Sequence, residues 1–159
     1  MKNAETLEVT TPTEREVVLT RAFDAPRRLV FDAMTRPDLL KRWLGAPGRT
    51  LEVCESDLTV GGAYRYVWRG PGKRDVGMHG VHREVVPPER IVRTEAWEDW
   101  DAGETVVTAT LVEQGGRTTL TSTVLFPSQE VRDTVLKSGL KSGADENYDK
   151  LAELLASIA

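Results

Sequence analysis

The sequence predicts an α+β domain in which a curved antiparallel sheet wraps a long C-terminal helix and leaves an apolar cavity between them. Three observations predict it. Thr50 to Phe126 is a nearly unbroken series of β-patterned runs divided by glycine and proline. Its last two runs, Glu104 to Glu113 and Arg117 to Phe126, close into a hairpin around Gln114-Gly115-Gly116. Gln129 to Ile158 then carries Val131, Val135, Leu136, Leu140, Ala144, Tyr148, Leu151 and Leu155 at helical spacing.

Taken in order, residues 1–13 are polar and short of large apolar groups, and read as a loose tail before a single domain over 14–159. Glu16 to Phe23 is rich in β-branched residues and reads as the first strand. Asp24 then stands as a helix cap, with Pro26 where a missing N–H costs nothing. The helix carries Leu29, Val30 and Ala33 and breaks at Thr35-Arg36-Pro37-Asp38. There the Thr35–Asp38 spacing resembles a capping box for a second short helix, which carries Leu39, Leu40 and Trp43. Gly45 and Pro47-Gly48 end it. Thr50 to Cys54 opens the run of strands. Gly61-Gly62 introduces Ala63 to Arg69, where Tyr64, Tyr66 and Trp68 share one face by the two-residue period of a strand. Asp75 to Val86 follows, with Gly77 and Gly80 marking a bulge or bend. Arg90 to Trp97 comes after the Pro87-Pro88-Glu89 turn. Pro127-Ser128 offers a cap to the final helix, which Gly139 and Gly143 interrupt as a kink or a break, at about 1 kcal/mol each relative to alanine.

The bulk composition narrows the function classes. The chain has 159 residues, 40% hydrophobic and 29% charged, enough for one core without staples. A net charge of −4 with no basic stripe argues against nucleic acid and anionic membranes as partners. Cys54 is the single cysteine, so no internal disulfide forms, and a lone thiol suits a reducing compartment. With no signal-peptide core near Met1 and no run long and apolar enough to span a bilayer, the expected location is cytoplasmic.

Several short motifs recur in a familiar order: Arg21-Ala22-Phe23-Asp24-Ala25-Pro26 with Val30-Phe31, and Thr35-Arg36-Pro37 leading to Trp43. Gly61-Gly62 before an aromatic strand, Pro88-Glu89-Arg90-Ile91-Val92 with Thr94, and Tyr148-Asp149-Lys150-Leu151 complete the series. From about Glu14 to the C-terminus the chain resembles the activator-of-Hsp90-ATPase-like proteins of the START-like superfamily, which also holds polyketide cyclases and plant lipid carriers. The resemblance implies a helix-grip fold: a seven-stranded antiparallel sheet around the C-terminal helix, with two short helices after the first strand. It implies no single activity. The family name comes from a eukaryotic co-chaperone in which this domain follows a separate N-terminal domain. This sequence has no room for that domain, so a chaperone partner is poorly supported.

The candidate site residues follow from which sheet face meets the helix. Tyr64, Tyr66 and Trp68 form one wall. On the strand that starts at Arg90, Ile91, Arg93, Glu95 and Trp97 share a face, and Val92, Thr94 and Ala96 the other. If Arg93 and Glu95 point inward they need partners, since unpaired buried charge is costly, and they would orient a carboxylate or carbonyl ligand or bond each other. If the strand faces the other way, both are solvated. On the hairpin, Val107, Ala109 and Leu111 face Leu120, Ser122, Val124 and Phe126. The small residues Ala109 and Ser122, set against Gly139 and Gly143 four apart on the helix, leave a gap that makes a cavity, unless the large aromatics fill it.

Trp43, Trp97 and Trp100 are candidates for the cavity rim or for packing. His79 and His82, three apart on a strand, lie on opposite faces, so no shared metal site and no zinc pattern is expected. One of them reaches the cavity, or both are surface or hydrogen-bonded histidines. Cys54 reads as an inert buried thiol. No catalytic constellation, metal site or cofactor is predicted.

The reading these residues favour is a binding module for a small apolar or amphipathic molecule. The alternatives are a cyclase- or hydrolase-like enzyme using Arg93, Glu95 or a histidine, and a protein-interaction module. Pairing with a second copy of the chain is left open.

Overall fold

The computed structural model describes residues 6–159. The strands are β1 (Glu8–Thr10), β2 (Glu16–Phe23), β3 (Thr50–Ser56), β4 (Ala63–Arg69), β5 (Val76–Val86), β6 (Arg90–Trp97), β7 (Thr105–Gln114) and β8 (Arg117–Leu125). The helices are α1 (Arg27–Thr35), α2 (Pro37–Leu40), α3 (Gln129–Lys137) and α4 (Leu140–Ile158). All eight strands join one sheet in the order β1-β2-β8-β7-β6-β5-β4-β3, antiparallel throughout. The first strand after β1 therefore lies beside the last, and the two helices between β2 and β3 cross behind the sheet.

The sheet has eight strands where seven were expected. The extra strand, β1, lies within the segment read as a loose tail. Glu8, Val9 and Thr10 pair with Thr20, Leu19 and Val18, and Leu7 is buried. Three residues of ladder and one leucine suffice to order a polar stretch once β2 offers an open edge. Residues 1–5 of that expected tail lie outside the described residues.

Two helix starts also differ from expectation. Pro26, not Asp24, is the residue that caps α1, with no side-chain cap. The first-turn amide of Arg27 instead donates to Glu113 Oε1 of β7 (2.9 Å). Thr35 does not cap α2, since its hydroxyl donates back to the Phe31 carbonyl (2.8 Å) and finishes α1. The predicted cap at Ser128 is present, its Oγ accepting from the Val131 amide (3.1 Å).

The C-terminal helix is broken in two. Gly139 adopts φ 98°, a left-handed conformation that ends one helix and starts the next, whereas Gly143 continues inside α4. Both pieces border a small core near β1, and α4 alone enters the main one. Val131, Val135 and Leu136 of α3 pack on a small core of Leu7, Val17, Leu19, Val107, Val124 and Phe126. Leu151, Leu154 and Leu155 of α4 enter the main core with Phe23, Val30, Phe31, Tyr64, Trp68 and Leu120.

Candidate functional site

Between the sheet and the helices lies a cavity of about 160 Å³. Met34 of α1, with Leu40, Trp43 and Leu44, forms an apolar wall. Tyr66 of β4, Arg93 of β6 and Ser122 of β8 form the floor, and Ala144, Asn147 and Tyr148 of α4 the roof. The space has a local cause. Ser122 sits opposite Ala109 in the β7–β8 register, two small side chains where the neighbouring pairs are Val107–Val124 and Leu111–Leu120. Ala144 presents only a methyl group from the helix above, one turn before Tyr148.

The walls are tied down by polar contacts. Trp43 Nε1 donates to the Ala33 carbonyl (2.8 Å), and Trp68 Nε1 donates to the Leu44 carbonyl (3.0 Å). Gly45 and Asn147 make a reciprocal pair. The Gly45 amide donates to Asn147 Oδ1 (3.1 Å), and Asn147 Nδ2 donates to the Gly45 carbonyl (3.2 Å), joining the segment after α2 to α4. Tyr148 meets Phe23 edge-on at 6.0 Å and Trp43 at 6.4 Å.

The inward charges are few and uneven. Arg93 Nη2 donates to Glu95 Oε2 at 3.2 Å, with side chains 23% and 18% exposed. The Arg93 Nε is buried and has no protein partner. Burial works against the Arg93 charge, but Glu95, Tyr64 and Tyr66 around it outweigh burial and hold the guanidinium above its usual range. Burial pushes the Tyr66 hydroxyl up to about 12 despite nearby Arg93, so it remains a proton donor. Tyr148 is raised by burial as well, against the opposing effect of Ser122 and Arg93. On β2, the buried Arg21 donates to Asp149 Oδ1 (2.8 Å) and lies 5.3 Å from the centre of the Phe23 ring.

β5 opens beside this region. The β5–β6 register pairs His79 with Ala96 and His82 with Arg93, and skips Gly80 and Val81 between them. In the gap the Tyr64 hydroxyl donates to the Thr94 carbonyl and the Val81 amide donates to Thr94 Oγ1 (3.0 Å). A Cβ on Gly80 would lie 1.9 Å from that same carbonyl oxygen, so the crossing of Tyr64 over the strand requires glycine.

His82 is the histidine that turns inward. It is buried, stacks on Tyr64 at 5.2 Å, and its Nε2 lies 3.1 Å from Ser56 Oγ. Burial lowers its pKa, Arg93 adds to the effect, and Asp57 opposes it. It packs beside the aromatic wall and does not line the cavity. Cys54 is half-buried where a buried thiol was expected, and burial raises its thiol to about 11, with Lys41 opposing.

The predicted site residues thus divide. Trp43, Tyr66, Arg93 and Ser122 line the cavity. Tyr64, Trp68, Glu95 and Ala109 share the inner face without touching the space, and Trp97 packs at a tilt against Trp68 (6.0 Å) where that face reaches solvent. Three placements are corrected. His79 is on the outer face, bonded to Glu98 (3.1 Å), because it stands an odd number of residues from inward-facing His82. Gly139 is exposed at the helix break, and Gly143 is absent from the cavity lining, where Ala144 and Tyr148 of α4 face the space.

On α4, sequence reasoning missed Ala144, Asn147 and Tyr148, and on the helical wall it missed Met34, Leu40 and Leu44. The signal for the first and third was available, since both belong to the apolar stripe of the last helix and stand four apart. Nothing in the sequence marks Asn147.

A larger depression, about 430 Å³, lies on the outer face around His79, Thr94, Ala96 and Glu104. It is a groove across the sheet surface, without helices to enclose it. Among the described residues no group of His, Cys, Asp and Glu is arranged to hold a metal ion, and no helix is long and apolar enough to cross a membrane.

Known proteins with this architecture are numerous. A solved protein from Rhodobacter sphaeroides is 31% identical, with a TM-score of 0.91 over 96% of this chain and 99% of that one. Protein CV1439 from Chromobacterium violaceum is 27% identical, with a TM-score of 0.76 over 88% and 96% of the two chains. Protein Ms6760 from Mycobacterium smegmatis, at 22% identity, shares the fold with a TM-score of 0.85 over 97% and 100%. None of the curated proteins compared matches the chain. The family model described as Activator of Hsp90 ATPase homolog 1-like protein matches residues 24–156. Motif order, START-like architecture and this match agree, and the chain belongs to the Activator of Hsp90 ATPase homolog 1-like family.

Proposed function

We propose that the protein binds a small, mostly apolar molecule in the cavity between the sheet and α4. The observation that carries this reading is a partly open space walled by Met34, Leu40, Trp43 and Leu44 yet floored by Arg93, Tyr66 and Ser122. Apolar walls with a few convergent polar groups are the usual composition of a ligand site. The fold is compatible with that role.

A thermal-shift and calorimetric screen of monocyclic aromatic and branched aliphatic compounds tests it. The screen should yield ligands whose affinity falls at least tenfold in Ala144→Leu, which fills the space while leaving the helix a good former. Undiminished affinity in that variant would place binding elsewhere.

A second reading is a cyclase- or hydrolase-like activity, favoured by the Glu95 carboxylate held beside the cavity by Arg93. Glu95→Gln should then stop turnover of a ligand found in the screen and spare its binding. Full turnover in the variant would exclude Glu95 as acid or base.

A further inference from the structure

We propose that two copies of the chain pair through the outer face of the sheet, about a two-fold axis that runs along β8. The interface lies on the opposite side of the sheet from the cavity and does not depend on what the cavity binds.

Strand alternation defines the face. On β2, β6, β7 and β8 one set of side chains enters the two cores, and the other points away from the helices. The outward set forms rows across the sheet. One row is Glu8, Thr20, Thr121, Thr110 and Arg90. The row beside it carries Val18, Thr123, Thr108 and Val92. Leu125 and Val106 extend the face beyond one row, and Thr119 and Val112 beyond the other. In these four rows β7 and β8 place no charge, while Glu8 and Glu16 stand at one edge and Arg90 at the other.

This surface is unclaimed within the chain. Val18, Val92, Val106, Val112 and Leu125 belong to neither core, and Val112 is 64% exposed. Among the described residues, the hydroxyls of Thr20, Thr108, Thr110, Thr121 and Thr123 have no hydrogen-bond partner. Threonine and valine are stiff side chains, so covering them costs little rotamer entropy.

Symmetry names the occupant. In the strand order β1-β2-β8-β7-β6, β8 is the middle strand. Glu8 and Arg90 therefore stand equally far to either side of Thr121 in one row. A two-fold axis along β8 exchanges the two sides, so Glu8 of each copy comes over Arg90 of the other, and Thr121 meets its own copy. Face-to-face sheets stand about 10 Å apart and cross at about 30°. With strands about 4.8 Å apart, that crossing offsets Glu8 from Arg90 by roughly 5 Å, within the span of an arginine side chain. Arg90 holds Glu84 through Nε (3.0 Å), which leaves its terminal nitrogens for a second carboxylate.

Other partners fit less well. A strongly charged protein finds no field of opposite sign over β7 and β8, and an anionic membrane would meet Glu8 and Glu16 at the rim. Five strands by four rows cover roughly 500 Å² in plan, so two copies bury roughly 1,000 Å², the lower edge of a specific interface. The dimer should therefore dissociate in the micromolar range.

Sedimentation equilibrium on the full chain from about 1 µM to about 500 µM should show monomer and dimer exchanging. Thr121→Arg stacks like charges at the axis and should weaken the dimer by about tenfold or more, with the urea midpoint held close to that of the natural chain. Glu8→Arg and Arg90→Glu should each weaken self-association about tenfold. An equimolar mixture of those two variants should associate to within about threefold of the natural chain, because both ion pairs then form across the axis. If either charge variant fails to fold, Thr121→Arg decides by itself. A chain that stays monomeric at the highest concentration would overturn the proposal. So would a dimer that Thr121→Arg leaves intact, which would lie on another face. A mixture that associates no better than its parts would remove the axis along β8.

Discussion

Two arginine–glutamate pairs occupy opposite faces of the same sheet. On the outer face, Arg65 of β4 grips Glu98 with two bonds (2.8 and 2.9 Å), and His79 adds a third contact at 3.1 Å. On the inner face, Arg93 reaches Glu95 through a single bond at 3.2 Å and keeps an unpartnered Nε–H. The outer pair is fully matched and in contact with water. The inner pair is joined by one bond and mostly buried. Surface ion pairs of the first kind contribute little to stability and need nothing more. A pair of the second kind is costly unless something else completes it. The difference teaches that charge alone does not mark a site on this sheet. What sets the inner pair apart is its burial beside the cavity.

The largest effect expected from breaking this contrast is at Arg93. Arg93→Met leaves Glu95 without its partner in the interior and should cost about 3 kcal/mol, read as a lower urea midpoint. Arg65→Met on the outer face should stay within about 0.5 kcal/mol in the same assay. Equal losses would erase the distinction.

Next in size is the wall beside the inner pair. Asn147→Ala removes both bonds to Gly45 and should cost about 1–2 kcal/mol. Hydrogen exchange at the Gly45 amide should quicken, and an unchanged rate would show that packing alone holds that segment.

The two histidines sharpen the comparison by pH. Burial and Arg93 lower the pKa of inner His82, while the unfolded chain takes up that proton near 6.5. The stability His82 contributes is therefore complete above pH 6.5 and declines as the pH falls toward the folded value. His82→Phe should flatten that part of the stability curve, and His79→Phe should not. Identical curves for both variants would sink the assignment.

The smallest effect belongs to Glu98. Its hydrogen bond from Arg65, aided by His79 and opposed by slight desolvation, lowers its carboxyl to about 2 from 4.5. The linked stability is present above pH 4.5 and fades as the pH falls toward 2. A carboxyl titration by NMR checks it, and Arg65→Met should return Glu98 toward its ordinary range.

Much of this arrangement was legible in the chain. The alternation of Tyr64, Tyr66 and Trp68 with Arg65, Val67 and Arg69 predicts which side meets the core, and Ala109 facing Ser122 predicts where space is left. These are local periodicities, and tertiary packing agreed with them. What could not be read depends on geometry between distant elements. Whether Arg93 or Thr94 turns inward has no local answer, because Val92 and Thr94 on the opposite face are also buried. The strand in the tail exists only because β2 exposes an edge there. Asn147 matters because Gly45, 102 residues away in sequence, needs two partners.

The left-handed residue at Gly139 also settles a question of reach. One unbroken helix from Gln129 to Ile158 would be a rod about 45 Å long, while a strand of ten residues spans about 33 Å. Such a rod would overhang the sheet at one end. Splitting it turns the overhang into a cover, and α3 closes over the Leu7 and Val17 corner that β1 brings in. Replacing Gly139 with a residue that resists a positive φ would therefore act at a distance. It would pull α3 off that corner and uncover the edge of the molecule, with the α4 roof above the cavity still in place.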